Sequence, residues 1–257
     1  MKWTAQTCFT SEGASIGLRS NESSVLDRIT AQLPPRSKLT PRAQSSQTFS
    51  LWKDNESRVY RDSRCIFRTS NAEAAIQRLT SELHFAVAQH SDALFVHAGV
   101  VGLRGRAILL PATTHGGKTT LVRELVDQGA TYYSDEYAVF DDDGRVRSYP
   151  RPLSVRQPGG SVRLVDPVEQ GFTIGRRAIP LGLVVFCRYR ESGKWRPRPV
   201  SPAACMLGMI ENTVMARSRP EQCMRVLGKA AASCSSIRTS RGEAAEAARF
   251  ILDSISW

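Results

Sequence analysis

The chain has 257 residues, of which 41% are hydrophobic and 23% are charged, values typical of a globular protein with one large or two small domains. No apolar run approaches the roughly 18 residues that a membrane-spanning helix needs, and the first residues lack the apolar block of a secretory signal. These features exclude a helical membrane protein, and we expect a cytoplasmic protein with no membrane partner.

The cysteines are scattered and form no C-x-x-C pair, which argues against a zinc site and against a disulfide framework. We expect reduced, packed thiols. The six positions are Cys8, Cys65, Cys187, Cys205, Cys223 and Cys234.

The formal net charge is +11, which suits nucleic acid, an acidic peptide or a nucleotide pocket with basic surroundings. Basic residues concentrate in residues 31–68 and again in residues 188–198, around the turn sequence ESGKW. No ladder of aromatic residues interleaves with either group, which argues against single-strand binding. We therefore interpret the basic excess mainly as solvated surface and do not expect nucleic acid as the partner.

The first part of the chain is predicted to form a small α/β domain over residues 1–90. A short helix is expected in residues 23–33, followed by a loop rich in Pro and Ser. Ser70 and Glu73 have the spacing of a capping box, and the following apolar residues recur at helical spacing. Three strands are predicted between the loop and this second helix, over residues 48–53, 57–62 and 64–70.

The character of the sequence changes after Ser91, which predicts a second domain over residues 91–257. Two apolar strands, a helix from Lys118 and a further buried strand at 180–190 indicate the α/β class. The DDDG sequence at 141–144 is typical of a solvent-exposed turn. The last quarter is predicted to be helical, with helix starts at Ser201–Pro202, Ser218 with Glu221, and Ser240 with Glu243.

The sequence LLPATTHGGKTT, at 109–120, lies between an apolar strand and a helix. Small residues before a helix N-terminus let backbone N–H groups surround a phosphate, and a lysine adds a full positive charge. The segment therefore predicts a P-loop, although Ala112 replaces its first glycine. The predicted nucleotide-binding residues are His115, Gly116, Gly117, Lys118, Thr119 and Thr120.

Two acidic residues, Asp135 and Glu136, interrupt the apolar run at 131–140. Buried carboxylates are costly unless they are paired, hydrogen-bonded or close to a metal, so this pair is a candidate for metal binding or proton acceptance. The alternative is a turn with acidic residues between two short strands. His97 lies inside the strand expected beneath the P-loop, where a histidine is more often a packed core residue.

Residues 94–153 resemble the kinase core of HPr kinase/phosphorylase and the HPr kinase-related kinases. The shared order is a strand histidine, a strand pair, a P-loop, one helix and an acidic pair. Phosphoenolpyruvate carboxykinases share this nucleotide-binding core, and the shorter relatives include kinases that phosphorylate a serine of lasso-peptide precursors. The resemblance implies a P-loop kinase core with C-terminal helices and a small N-terminal α/β domain.

The resemblance also implies roles for individual residues. ATP and Mg²⁺ are the implied cofactors, with Lys118 acting in catalysis on the phosphates, Thr119 and Glu136 at the metal, Asp135 as the catalytic base and His97 beside the phosphates. The implied partner is a peptide or protein that carries a serine hydroxyl. No segment matches the HPr-contacting sequence, so HPr itself is not the expected substrate.

Two alternatives stay open at this point. One is a kinase for a small-molecule hydroxyl, and the other is a nucleotide-sensing protein without catalysis. The sequence leaves the oligomeric state open, a homo-oligomer included. No Asn-Lys-x-Asp element occurs, which disfavours a GTPase.

Overall fold

The structure is a computed structural model that describes residues 2–40, 44–112, 117–156, 162–255 and 257. The chain divides into two compact units, Met1–Ala93 and Leu94–Trp257. Within the described residues, no helix combines the length and the apolar character needed to cross a membrane.

The first unit is a six-stranded sheet with two helices. Its strands are ordered β3-β1-β2-β4-β5-β6, and only the β2–β4 pair is parallel. The elements are β1 (Ala5–Ser11), β2 (Ala14–Ser20), α1 (Ser23–Thr30), β3 (Lys38–Leu39), β4 (Gln47–Lys53), β5 (Ser57–Arg61), β6 (Arg64–Thr69) and α2 (Ala72–His90).

The second unit contains an eight-stranded sheet, a separate strand pair and four helices. The elements are β7 (Leu94–Leu103), β8 (Arg106–Pro111), α3 (Lys118–Asp127), β9 (Thr131–Ser134), β10 (Tyr137–Phe140), β11 (Arg145–Arg147), β12 (Leu153–Arg156), β13 (Val162–Val165), β14 (Ile179–Tyr189), β15 (Arg198–Pro199), α4 (Pro202–Ile210), α5 (Pro220–Ala232), β16 (Ser235–Arg241) and α6 (Ala244–Asp253).

The large sheet has the order β11-β10-β7-β8-β14-β16-β15, with β9 paired to β7. β8, β14 and β16 are parallel neighbours, so their carboxyl ends lie at the same edge of the sheet. This edge is where loops in α/β proteins usually form binding sites.

Helices cover both faces of this sheet. Successive residues of a strand point to opposite faces, so neighbouring residues of one strand pack against different helices. Leu109 of β8 packs in the cluster that contains α4 and α5 residues such as Met209, whereas Ile108 packs in the cluster with α3 and α6. Gly99 of β7 permits the close packing of α3, since an added Cβ would lie 2.6 Å from Cγ2 of Val122. The sheet and these helices together fix the start of α3.

The helix starts only partly follow the sequence prediction. Ser201 caps α4 as predicted, and its side chain accepts from the N–H of Ala204. The predicted Ser70–Glu73 capping box is wrong, because Asn71 caps α2. The other two predicted starts are also wrong. The N-cap residue of α5 is Arg219 and that of α6 is Glu243, and neither side chain makes a capping hydrogen bond. Ser240 lies in β16.

Candidate functional site

The candidate site lies where β8 ends and α3 begins. Pro111 is the last residue of β8, and Lys118 is the first residue of α3. Two of the predicted nucleotide-binding residues, His115 and Gly116, lie outside the described residues. Gly117, Lys118, Thr119 and Thr120 are described, and they form the N-cap and first turn of α3.

Lys118 contacts Ala112, the residue that follows the end of β8. Its Nζ donates a hydrogen bond of 2.6 Å to the carbonyl oxygen of Ala112. An ammonium carries three N–H donors, of which this bond uses one. Burial lowers the pKa of Lys118, while the charges of Glu136 and Asp135 act in the opposite direction. A partly buried cation that faces carboxylates is suited to hold an anionic ligand at the helix N-terminus.

Gly117 is required for two independent reasons. Its φ of 73° is in the left-handed region that favours glycine, and an added Cβ would lie 2.4 Å from Nη2 of Arg241. The Arg241 residue is 4% exposed, and its guanidinium donates to the carbonyl oxygens of Gly117 at 2.9 Å and Gly242 at 2.8 Å. Arg241 therefore fixes the start of α3. Sequence reasoning missed it, because β16 was not predicted.

Thr119 connects α3 to the acidic pair. Its hydroxyl donates a hydrogen bond of 3.0 Å to Oδ2 of Asp135, and the Tyr132 hydroxyl donates to Oδ1 of Asp135 at 3.3 Å. Asp135 is only 3% exposed. Burial raises the pKa of Asp135 above its usual range, and the charge of Glu136 adds to this, while the nearby Arg151 opposes it. The carboxylate is thus held by two hydroxyl donors.

Glu136 faces the strand histidine. Nδ1 of His97 lies 3.5 Å from Oε1 of Glu136, and each side chain is about one-third exposed, at 32% and 33% respectively. Burial by itself would raise the pKa of Glu136, but the hydrogen bond from His97 and the positive charges of Arg151 and Lys118 bring the pKa below its usual value. Glu136 is therefore a carboxylate surrounded by cations. The contact between His97 and Glu136 is a finding of the structure, and the expected position of His97 beside the phosphates stays a prediction.

The acidic pair lies in a turn and not within a strand. β9 ends at Ser134 and β10 begins at Tyr137, and both strands pair with β7. The Ser134 hydroxyl accepts from the N–H groups of Glu136 at 3.3 Å and Tyr137 at 3.1 Å. The pair therefore lies at a turn between two short strands, while its role in metal binding or proton acceptance stays a prediction.

Arg151 is a site residue that sequence reasoning missed. Its carbonyl oxygen lies 3.3 Å from the Tyr132 hydroxyl, whose single proton is shared between this oxygen and Asp135, and the positive charge of Arg151 lowers the pKa of both Asp135 and Glu136. In the sequence, Arg151 lies between two prolines in the stretch PRPLSVR at 150–156, to which no role was assigned. Arg151 and Lys118 together balance the two carboxylates.

The site offers oxygen ligands for a cation but no complete metal cage. Among the described residues, no group of three or more His, Cys, Asp and Glu side chains could hold a metal ion. The hydroxyl of Thr119 and the carboxylates of Asp135 and Glu136 are hard oxygen donors, which Mg²⁺ prefers. Because Mg²⁺ usually binds through one or two carboxylates together with phosphates and water, this donor set fits a magnesium ion that a nucleotide brings with it.

Comparisons with known proteins find similarity among solved structures but none at the level of sequence families. No protein-family model matches the chain, and no curated protein matches it. Among solved structures, the HPr(Ser) kinase/phosphatase from Coxiella burnetii is similar to this chain, with 11% sequence identity and a TM-score of 0.34, over 62% of this chain and 94% of that one. A TM-score this low does not establish a shared fold, and the mixed α/β architecture with two large sheets rests on the strands and helices themselves.

Proposed function

We propose that the chain is an ATP-dependent kinase that transfers the γ-phosphate to a hydroxyl group, with a serine of a peptide or protein as the acceptor. The observation that carries this proposal is the 3.0 Å hydrogen bond between Thr119 and Asp135. It brings a hydroxyl beside the phosphate-binding lysine into contact with a carboxylate on another element. Phosphoryl transfer needs these groups together.

The phosphates of ATP would bind at the N-terminus of α3. The first N–H groups of a helix have no partner within the helix and carry a partial positive charge, so they bind anions. Lys118 adds a full charge at this point, and Arg241 holds the preceding carbonyl of Gly117 in place. This arrangement supports nucleotide binding despite Ala112 in place of the first glycine of the motif.

Magnesium would be held by Thr119 and Glu136, together with the nucleotide. When bound, the ion neutralises charge on the β- and γ-phosphate oxygens. The pKa of Glu136 lies below its usual value, although burial opposes this, so Glu136 stays ionised at neutral pH and can serve as a ligand. His97, 3.5 Å from Glu136, orients that carboxylate.

Asp135 would act as the general base. The acceptor hydroxyl oxygen forms a bond to the γ-phosphorus, the bond from that phosphorus to the β–γ bridging oxygen breaks, and ADP leaves. The hydroxyl proton passes to the Asp135 carboxylate. Asp135 is 3% exposed and Thr119 occupies its Oδ2, so access requires the Thr119 hydroxyl to turn to another partner. Tyr132 keeps Oδ1 in position during this exchange.

The test is transfer of radiolabelled phosphate from ATP to serine-containing peptides in the presence of Mg²⁺, with mass spectrometry to locate the phosphate. We expect wild type to bind ATP and to phosphorylate serine, whereas Lys118→Ala loses most ATP affinity and all detectable transfer. The matched control is Lys38→Ala, which removes an exposed lysine of the first unit.

Three outcomes would contradict the proposal in different ways. Wild-type turnover in Lys118→Ala would show that the phosphate site is elsewhere. Transfer only to small hydroxyl compounds would indicate a small-molecule kinase. ATP binding without transfer to any peptide or metabolite would indicate a nucleotide sensor.

A further inference from the structure

A large basic groove borders the candidate site. It lies at the carboxyl ends of β14 and β16 and has a volume of about 1310 Å³. Pro111 and Ala112, which precede the phosphate loop, are part of its lining. We use the name basic groove for the surface formed by Arg188, Arg190, Lys194, Arg196, Arg198 and Arg238.

Basic residues outnumber acids around the basic groove, where Glu191 is the one acid in the turn sequence at 190–196. All six side chains belong to exposed residues, and no Asp or Glu is among the described residues that line the groove. The ion pairs found in the described part of the chain involve none of the six. Clustered like charges repel one another and focus a positive potential, so the groove is suited to a ligand that carries several negative charges.

The size of the basic groove indicates an extended ligand. Pockets for small molecules usually measure about 300–1,000 Å³, and this groove is larger. The proposed phosphate contacts of ATP are made by Lys118 and the first turn of α3, outside the groove lining. The groove is therefore an additional surface beside the nucleotide.

The aromatic side chains of the groove favour a peptide over a nucleic acid. Proteins that bind single strands stack bases on open aromatic faces. Here the guanidinium of Arg238 lies over the ring of Phe186 at 5.5 Å, and that of Arg241 lies over Tyr189 at 5.2 Å. Phe186 and Tyr189 are the aromatic residues of the described lining, and an arginine covers one face of each, so the groove offers no row of open aromatic faces for successive bases.

The groove is also continuous with the proposed transfer site. Ala112 lines the groove, and its carbonyl oxygen accepts the 2.6 Å hydrogen bond from Lys118. A ligand in the groove would therefore lie beside Ala112, which Lys118 contacts. We propose that the basic groove binds an acidic segment of the acceptor peptide, next to the serine that is phosphorylated; this inference rests on the proposed kinase function.

The test measures binding of a fluorescent peptide of alternating Glu and Ser residues, without nucleotide, at about 0.15 M salt. A peptide with Gln in place of Glu and a single-stranded oligonucleotide are measured in parallel. Arg190→Glu/Arg196→Glu reverses two groove charges. The matched control, Arg145→Glu/Arg249→Glu, reverses two exposed charges outside the groove lining. Circular dichroism checks folding, and Arg190→Gln/Arg196→Gln replaces the reversal if that variant is unfolded.

We expect the groove variant to lose at least about tenfold in affinity for the Glu peptide, because like charges across an interface repel. The ATP affinity of the groove variant should equal that of wild type. The control variant should bind the Glu peptide as tightly as wild type does. Wild type should bind the Gln peptide only weakly. Equal losses in both variants would overturn the inference, as would equal binding of the Glu and Gln peptides. Tighter oligonucleotide binding would assign the groove to nucleic acid, and a parallel loss of ATP affinity would assign it to the nucleotide.

The two proposals fail in distinguishable ways. If wild type binds the Glu peptide through the groove but transfers no phosphate, the kinase function is wrong and the groove still recognises acidic peptides. If wild type phosphorylates neutral and acidic peptides equally well, the kinase function stands and the groove inference is wrong.

Discussion

The hydroxyl of Thr119 donates a hydrogen bond of 3.0 Å to Oδ2 of Asp135, and so links the first turn of α3 to the turn between β9 and β10. α3 packs against β7, and the strands on either side of the Asp135 turn, β9 and β10, both pair with β7. β7 is therefore a common neighbour of α3 and of the strands that carry the Asp135 turn. Substitution of Asp135 therefore distinguishes ATP binding from phosphoryl transfer in the proposed mechanism.

Asp135→Asn should leave ATP binding within about tenfold of wild type and reduce peptide phosphorylation by about 10²–10⁴-fold, the usual contribution of a general base. Asparagine keeps the shape of the side chain, and its oxygen can still accept a hydrogen bond from Thr119 or Tyr132. Calorimetry for ATP and a single-turnover assay on the same preparation measure the two effects. Unchanged phosphorylation would rule out Asp135 as the base.

The same substitution should change how stability depends on pH. Burial raises the pKa of Asp135 above its ordinary value of 3.8, so the folded state favours the protonated form. The stability that this gives is fully present below pH 3.8 and is lost as the pH rises through the raised pKa. Relative to wild type, Asp135→Asn should therefore gain stability as the pH rises toward neutrality. Denaturant unfolding of both proteins across this range measures the difference, and parallel curves would contradict it.

The sequence was most informative where local signals were strong. The apolar runs of β7 and β8, the glycines before Lys118 and the periodic apolar face of α2 predicted elements that the structure contains. The sequence also marked Thr119 and Asp135 as candidates for one site, and their side chains are hydrogen-bonded. Periodicity and turn residues are local properties, and these elements depend mainly on them.

The missed elements depend on tertiary pairing. β16 has the sequence SSIRTSR, which lacks an apolar alternation, and it is a strand because it lies between β14 and β15. Ser240 was therefore interpreted as a helix cap, and Arg241 could not be placed beside Gly117. Arg151 was missed for the same reason, because its charge acts on residues that are distant in sequence.

Glu136→Gln should affect magnesium dependence more than the chemical step. The substitution removes the proposed carboxylate ligand and the negative charge opposite His97. Nδ1 of His97 lies 3.5 Å from Oε1 of Glu136, and both side chains are partly exposed. We expect less than about a tenfold loss of transfer at saturating Mg²⁺, with a clear shift of the Mg²⁺ titration to higher concentration. An unchanged titration would show that Glu136 is not a metal ligand.

Gly117→Ala should impair both ATP binding and stability. The left-handed backbone, with a φ of 73°, costs a residue with Cβ about 1–2 kcal/mol, and the new Cβ would lie 2.4 Å from Nη2 of Arg241. Because Arg241 is buried and donates to the carbonyls of Gly117 and Gly242, it cannot move without breaking these bonds. The control is Gly105→Ala, where φ is 80° and an added Cβ would meet nothing within 4 Å. That variant should show only the backbone cost and bind ATP normally. Equal ATP affinity in the two variants would mean that the Arg241 contact does not position the start of α3 for phosphate binding.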